Sequence, residues 1–196
     1  PALQFSFTAG GNIALQNFLN RFGSHTVAAI TTAYRVDTIM LLPIINLGSA
    51  ISTMVAQSKG AGEPQRARHF WRTGAVMNLV VSLLLMAVML LFGGKLVALF
   101  GVEAEAAAIG RRFFQRISLF YAFFGLACSM RGTIEGTGRV VYSSAVSIAA
   151  LLLRIALSYL LAGAFLNMAI AYAEGLHWIF MVLCFLPFFL RKDRWI

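Results

Sequence analysis

The chain has 196 residues, of which 60% are hydrophobic and only 12% charged, with a mean hydropathy of +0.80. So few polar groups cannot cover a water-soluble globule of this size, so lipid is the main solvent. The net charge of +9 comes from 16 Lys and Arg against 7 Asp and Glu. The basic residues sit in short breaks between apolar runs and form no sustained stripe, which sets nucleic acid aside as a partner and points to membrane orientation.

Six hydrophobic segments follow in chain order, at residues 1–22, 27–57, 73–92, 113–130, 140–163 and 168–190. Residues 73–94 carry no charge and are long enough to cross a hydrocarbon core of about 30 Å. Long continuous runs predict helices, because barrel strands would alternate over about 10 residues. The expected fold class is therefore an all-α membrane protein with six transmembrane helices and short connections. The chain starts at Pro1 with no charged leader before its first apolar run, which reads as a piece of a longer protein.

The first segment places Gln4, Thr8, Asn12 and Gln16 four residues apart, one polar stripe about 18 Å long. Lipid penalises such a stripe, so it faces a water-filled cavity or hydrogen-bonds to neighbouring helices; both readings stand. In the second segment, Pro43 should kink or break the helix, either as a packing device or as part of a gate. Arg35 and Asp37 in the same segment are two apart, so they face different sides and cannot pair with each other. Each needs a partner on another helix, or, for Arg35, a route to the headgroups. The segment ends in Gly60-Ala61-Gly62, a helix stop, and Glu63-Pro64 then suits the start of a short basic helix to Arg72, lying along the headgroups.

In the fourth segment Phe120, Tyr121 and Phe124 offer aromatic faces to an organic cation, or serve as ordinary core. Arg154 in the fifth and Glu174 in the sixth are enclosed by apolar residues. They lie at comparable distances from the turn near Gly163, so an antiparallel helix pair predicts an Arg154 to Glu174 ion pair. Lys59, Arg66, Arg68, Arg72, Arg131, Arg139, Arg191, Lys192 and Arg194 fall on one side, against Arg21, Lys95, Arg111, Arg112 and Arg116 on the other. The richer side, with the C-terminus, is expected to be cytoplasmic.

Enzyme chemistry is not expected. His25, His69 and His177 are scattered, the serines lack a GxSxG setting, and no GK[ST] follows the glycines. Cys128 and Cys184 lie inside apolar runs with no CxxC spacing, so no metal site or disulfide is expected.

Phe22-Gly23, Ala28-Ala29, Pro43, Gln57-x-x-Gly60-Ala61-Gly62 with Arg66-Ala67-Arg68, and Arg131-Gly132-x-x-Glu135-Gly136-x-Gly138 occur in an order that resembles the second half of multidrug and toxic compound extrusion (MATE) transporters. The resemblance covers nearly the whole chain. It implies one six-helix lobe, the C-terminal one, of a twelve-helix two-lobe transporter in a bacterial plasma membrane. It further implies antiport of organic cations or amphipathic drugs against Na⁺ or H⁺ by alternating access, with the N-terminal lobe as partner. Family members with a cation site in this lobe carry acids that here fall near Thr8 and at Phe120, which cannot ionise. The coupling ion is then expected in the missing N-terminal lobe, or on Asp37, and no cofactor is implied. A related lipid-linked sugar flippase, with a more cationic cavity, and a non-transporting interaction subunit are the alternatives.

Overall fold

The computed structural model describes residues 15–190. Helical residues 15–20 (α1) end the first segment; Gln4, Thr8 and Asn12 lie outside the described residues. After Gly23 come α2 (Ser24–Gly60), α3 (Pro64–Ala98), α4 (Ala104–Ile117), a 3₁₀ turn (Ser118–Phe120), α5 (Tyr121–Gly136) and α6 (Val140–Leu160). A single turn α7 (Ala162–Phe165) and a second 3₁₀ turn (Leu166–Met168) lead into α8 (Ala169–Leu190). Among the described residues, five helical segments are long and apolar enough to cross a membrane.

The burial pattern of α3 is inverted relative to a water-soluble helix. Its fully buried side chains include Asn78 and Ser82, whereas Leu84 is 62% exposed and Leu91 73%. Leucines directed outward and small polar groups directed inward are the signature of a helix whose surroundings are as apolar as its own side chains. Asn78 donates its amide to Ser129 Oγ (2.9 Å) and to the Ile44 and Gly125 carbonyls (both 3.3 Å), joining α2, α3 and α5 at one polar node.

Three expectations change here. The basic stretch from Pro64 to Arg72 is not a separate surface helix but the first turns of α3. Pro64 occupies the first turn, where its missing N–H costs nothing, and nothing after it stops the helix before Ala98. Thirty-five residues at 1.5 Å each reach about 52 Å, so the charged turns project beyond the apolar core. Second, α2 is not broken at Pro43: helix continues on both sides over all 37 residues. At membrane depth a break exposes several unpaired backbone groups, while a proline forfeits one hydrogen bond, so continuity is the cheaper outcome. Third, Arg111, Arg112 and Arg116 belong to α4 and not to a connection, and the fourth span extends from Ala104 to Gly136.

The predicted stop after Lys59 is present. Gly62 adopts φ 72°, and the Glu63 N–H reaches back to the Ser58 carbonyl at 2.9 Å, closing the helix.

Helices α2 and α5 cross so closely that a Cβ placed on Gly132 would lie 2.1 Å from the Gly48 carbonyl oxygen. Backbone, unlike a flexible side chain, cannot yield there. Gly132→Ala is therefore expected to destabilise the lobe by about 1–3 kcal/mol, the cost of overpacking. The reading is a lower thermal midpoint in detergent, with Gly60→Ala, where a Cβ meets nothing within 4 Å, as the neutral control.

Candidate functional site

Same-face spacing on four helices builds the site. Helix α2 aligns Tyr34, Asp37, Thr38 and Leu41 at i, i+3, i+4 and i+7, and α8 aligns Glu174, His177, Trp178 and Met181 in the same way. From α5 come Phe124, Cys128, Arg131 and Glu135, and from α6 Ser147, Leu151 and Arg154. Because α5 packs on α2 and on α8, and α6 on α8, the four stripes converge between the helices.

Arg154 and Glu174 pair across α6 and α8, Nη2 to Oε2 at 2.5 Å. Tyr34 of α2 completes the cluster: its hydroxyl donates to Glu174 Oε2 (3.1 Å) and accepts from Arg154 Nη2 (3.2 Å), while the guanidinium stands 5.6 Å from its ring centroid. His177, one turn after Glu174, brings Nδ1 to 3.9 Å from Glu174 Oε1. Neither His177 Nδ1 nor Arg154 Nε has a hydrogen-bond partner among the described residues. Asp37, 4% exposed, accepts a short hydrogen bond from the Tyr121 hydroxyl on its Oδ1. No cation pairs with Asp37 among the described residues.

Two cavities meet at this cluster. One, of about 570 Å³, lies toward the α1 end and is lined by Gln16, Tyr34, Asp37, Arg154 and Glu174 with apolar neighbours. The other, of about 430 Å³, lies toward the C-terminal end of α5 and is lined by Ser49, Cys128, Arg131, Glu135, Ser147 and Arg154 among others. Ile45, Phe124, Arg154, His177 and Trp178 border both, and the Phe124 and Trp178 rings are stacked with centroids 4.8 Å apart.

Of the residues singled out from the sequence, Gln16, Asp37, Arg154, Glu174 and Phe124 are therefore brought to one site. Arg35 is not: it is exposed on the opposite side of α2, in a shallow groove with Gln16, Asn20, Thr31 and Thr32. Tyr121 is fully buried and reaches the site only through Asp37, and Phe120 sits against Gly175 of α8 and lines neither cavity. Tyr34, His177 and Trp178 were missed as site residues. The available signal was their spacing, three residues before Asp37 and three and four after Glu174. Among the described residues, no three metal-ligating side chains converge.

Comparison with known proteins gives this site its setting. A protein named "Probable multidrug resistance protein YoeA" from Bacillus subtilis is 30% identical over 139 residues, 71% of this chain and 30% of that protein. "Probable multidrug resistance protein NorM" from Bradyrhizobium diazoefficiens is 28% identical over 164 residues, 82% of this chain and 35% of its own. The chain thus spans about a third of the length of the curated relatives it matches. Among solved structures, a transporter of the MOP superfamily from Pyrococcus furiosus superposes with a TM-score of 0.88 at 19% identity, covering 97% of this chain and 42% of that one, which makes the present fold one half of such a transporter. The MatE family pattern matches residues 2–160, and on that match the chain belongs to the MATE family of multidrug efflux transporters.

Proposed function

We propose that the chain is the C-terminal lobe, helices seven to twelve, of a secondary antiporter that exports organic cations and amphipathic drugs in exchange for Na⁺ or H⁺. The observation that carries this reading is the 570 Å³ cavity, in which two buried carboxylates, Asp37 and Glu174, stand beside the Phe124 and Trp178 rings. Carboxylates at membrane depth are costly to bury and are retained where they bind charge, and aromatic faces suit the flat ring systems of organic cations. Glu174 is already engaged by Arg154, so Asp37 is the acid that meets a cationic ligand. The coupling ion is assigned to the N-terminal lobe, since the positions matching the family's acids in this lobe, near Thr8 and at Phe120, cannot ionise. The lobe sits in a bacterial plasma membrane, with the C-terminus and the Arg131 end of the site on the cytoplasmic side.

The test is export of a cationic dye by the full-length protein in liposomes under an imposed Na⁺ or H⁺ gradient. The expected result is gradient-dependent dye movement that is absent from empty vesicles. Dye movement indifferent to both gradients would overturn the antiport reading.

A further inference from the structure

The two cavities that meet at Arg154 differ in charge. The one toward α1 is lined by two carboxylates, Asp37 and Glu174, and one guanidinium; the one toward the end of α5 by two guanidiniums, Arg131 and Arg154, and one carboxylate, Glu135. That carboxylate is engaged, because its Oε1 accepts both Arg131 Nε (2.7 Å) and Ser143 Oγ (2.8 Å). Arg131 stays about a third exposed, at 35% of its side chain. Between the charged ends lie the rings of Phe124 and Trp178, bordering both cavities.

We infer that Arg131 is a specificity-determining residue that recognises an anionic group, so that the preferred substrates are amphiphiles carrying a carboxylate or phosphate in addition to a cationic centre. A molecule lying across Phe124 and Trp178 would place its cation toward Asp37 and its anion toward Arg131. A planar guanidinium suits either oxyanion, since it offers paired N–H donors. A purely cationic drug gains nothing at the arginine end and meets like charge there. This inference rests on the transport reading above and narrows its substrate class.

The experiment uses the full-length transporter in detergent and two dyes that differ in a single group: rhodamine B, with a free carboxylate, and its ethyl ester, which lacks that negative charge. Binding is read by fluorescence anisotropy after subtraction of empty micelles. The wild-type protein is expected to prefer the acid. Arg131→Gln is expected to raise the Kd of the acid about tenfold, the worth of one charge-assisted hydrogen bond, while moving the ester less than about twofold. Arg131→Lys, which keeps the charge, should retain most of the preference.

Because Arg131→Gln releases Glu135, the paired Arg131→Gln, Glu135→Gln variant is measured alongside it. That variant removes both charges and keeps an acceptor for Ser143, so it gives the same answer if the single variant unfolds. An ester bound as tightly as the acid by wild type, or an equal shift of both dyes in the variants, would overturn the inference while leaving transport of cations intact. Wild-type protein that neither binds nor moves either dye would instead sink the transport reading.

Discussion

Glu174→Gln and Arg154→Gln are each expected to cost the full-length transporter about 3–5 kcal/mol of stability, the range for removing one member of a buried ion pair. The pair is enclosed, with side chains 13% and 10% exposed, so the survivor is not rescued by water. Losing Glu174 leaves the Arg154 guanidinium with Tyr34 Oη as its sole remaining acceptor in the cluster, a neutral one, and its Nε unsatisfied as before. Losing Arg154 leaves Glu174 with the Tyr34 hydroxyl and with His177 Nδ1 at 3.9 Å. The exchanged variant, Arg154→Glu with Glu174→Arg, restores one charge of each sign to the same gap between α6 and α8 and should be more stable than either single reversal. Thermal unfolding in detergent, followed by size-exclusion recovery, reads all of these. An exchanged variant whose loss equals the sum of the two single reversals would show that the residues do not act as a pair.

This pair was legible in the sequence because a short connection between antiparallel helices converts distance along the chain into depth. Residues 154 and 174 flank the turn almost symmetrically, so their meeting follows from counting. Asp37 and Tyr121 gave no such clue. They are 84 residues apart on α2 and α5, whose contact depends on the close approach at Gly48 and Gly132, and nothing in one sequence announces which helices touch. The node at Asn78 was hidden for the same reason.

Boundaries were misread where hydropathy and hydrogen bonding part company. Hydropathy reports lipid depth, and it falls at Arg72 and at Arg112; the backbone hydrogen bonds of α3 and α4 continue past both points. For α4 the signal was present as an amphipathic stripe. Ala106, Gly110, Phe113, Phe114 and Ile117 recur at helical spacing and are all buried, while Arg111 and Arg112 lie on the exposed face. Of the polar stripe expected on the first segment, Gln16 lies within the described residues, exposed and lining the carboxylate-bearing cavity, as an inward-facing polar row requires.

Asp37→Asn is expected to weaken binding of a cationic dye by the full-length transporter about tenfold or more, since a charge-assisted contact at a desolvated site becomes a neutral one. The substitution is nearly isosteric: the amide oxygen can still accept from the Tyr121 hydroxyl, so the α2 to α5 contact is kept and the loss reports charge. Tyr121→Phe separates the two contributions. It removes the hydroxyl that fixes Oδ1 but leaves the carboxylate, so it should weaken binding by a smaller factor, the cost of a less ordered acid. The order Asp37→Asn worse than Tyr121→Phe is what distinguishes a cation-binding acid from a structural hydrogen bond, for which both deletions would cost alike. Arg35→Gln, two residues away and facing the other side of the helix, supplies the control and should leave the Kd within about twofold. Equal losses from Asp37→Asn and Arg35→Gln would mean that the dye responds to the overall charge of α2 and not to the carboxylate in the cavity.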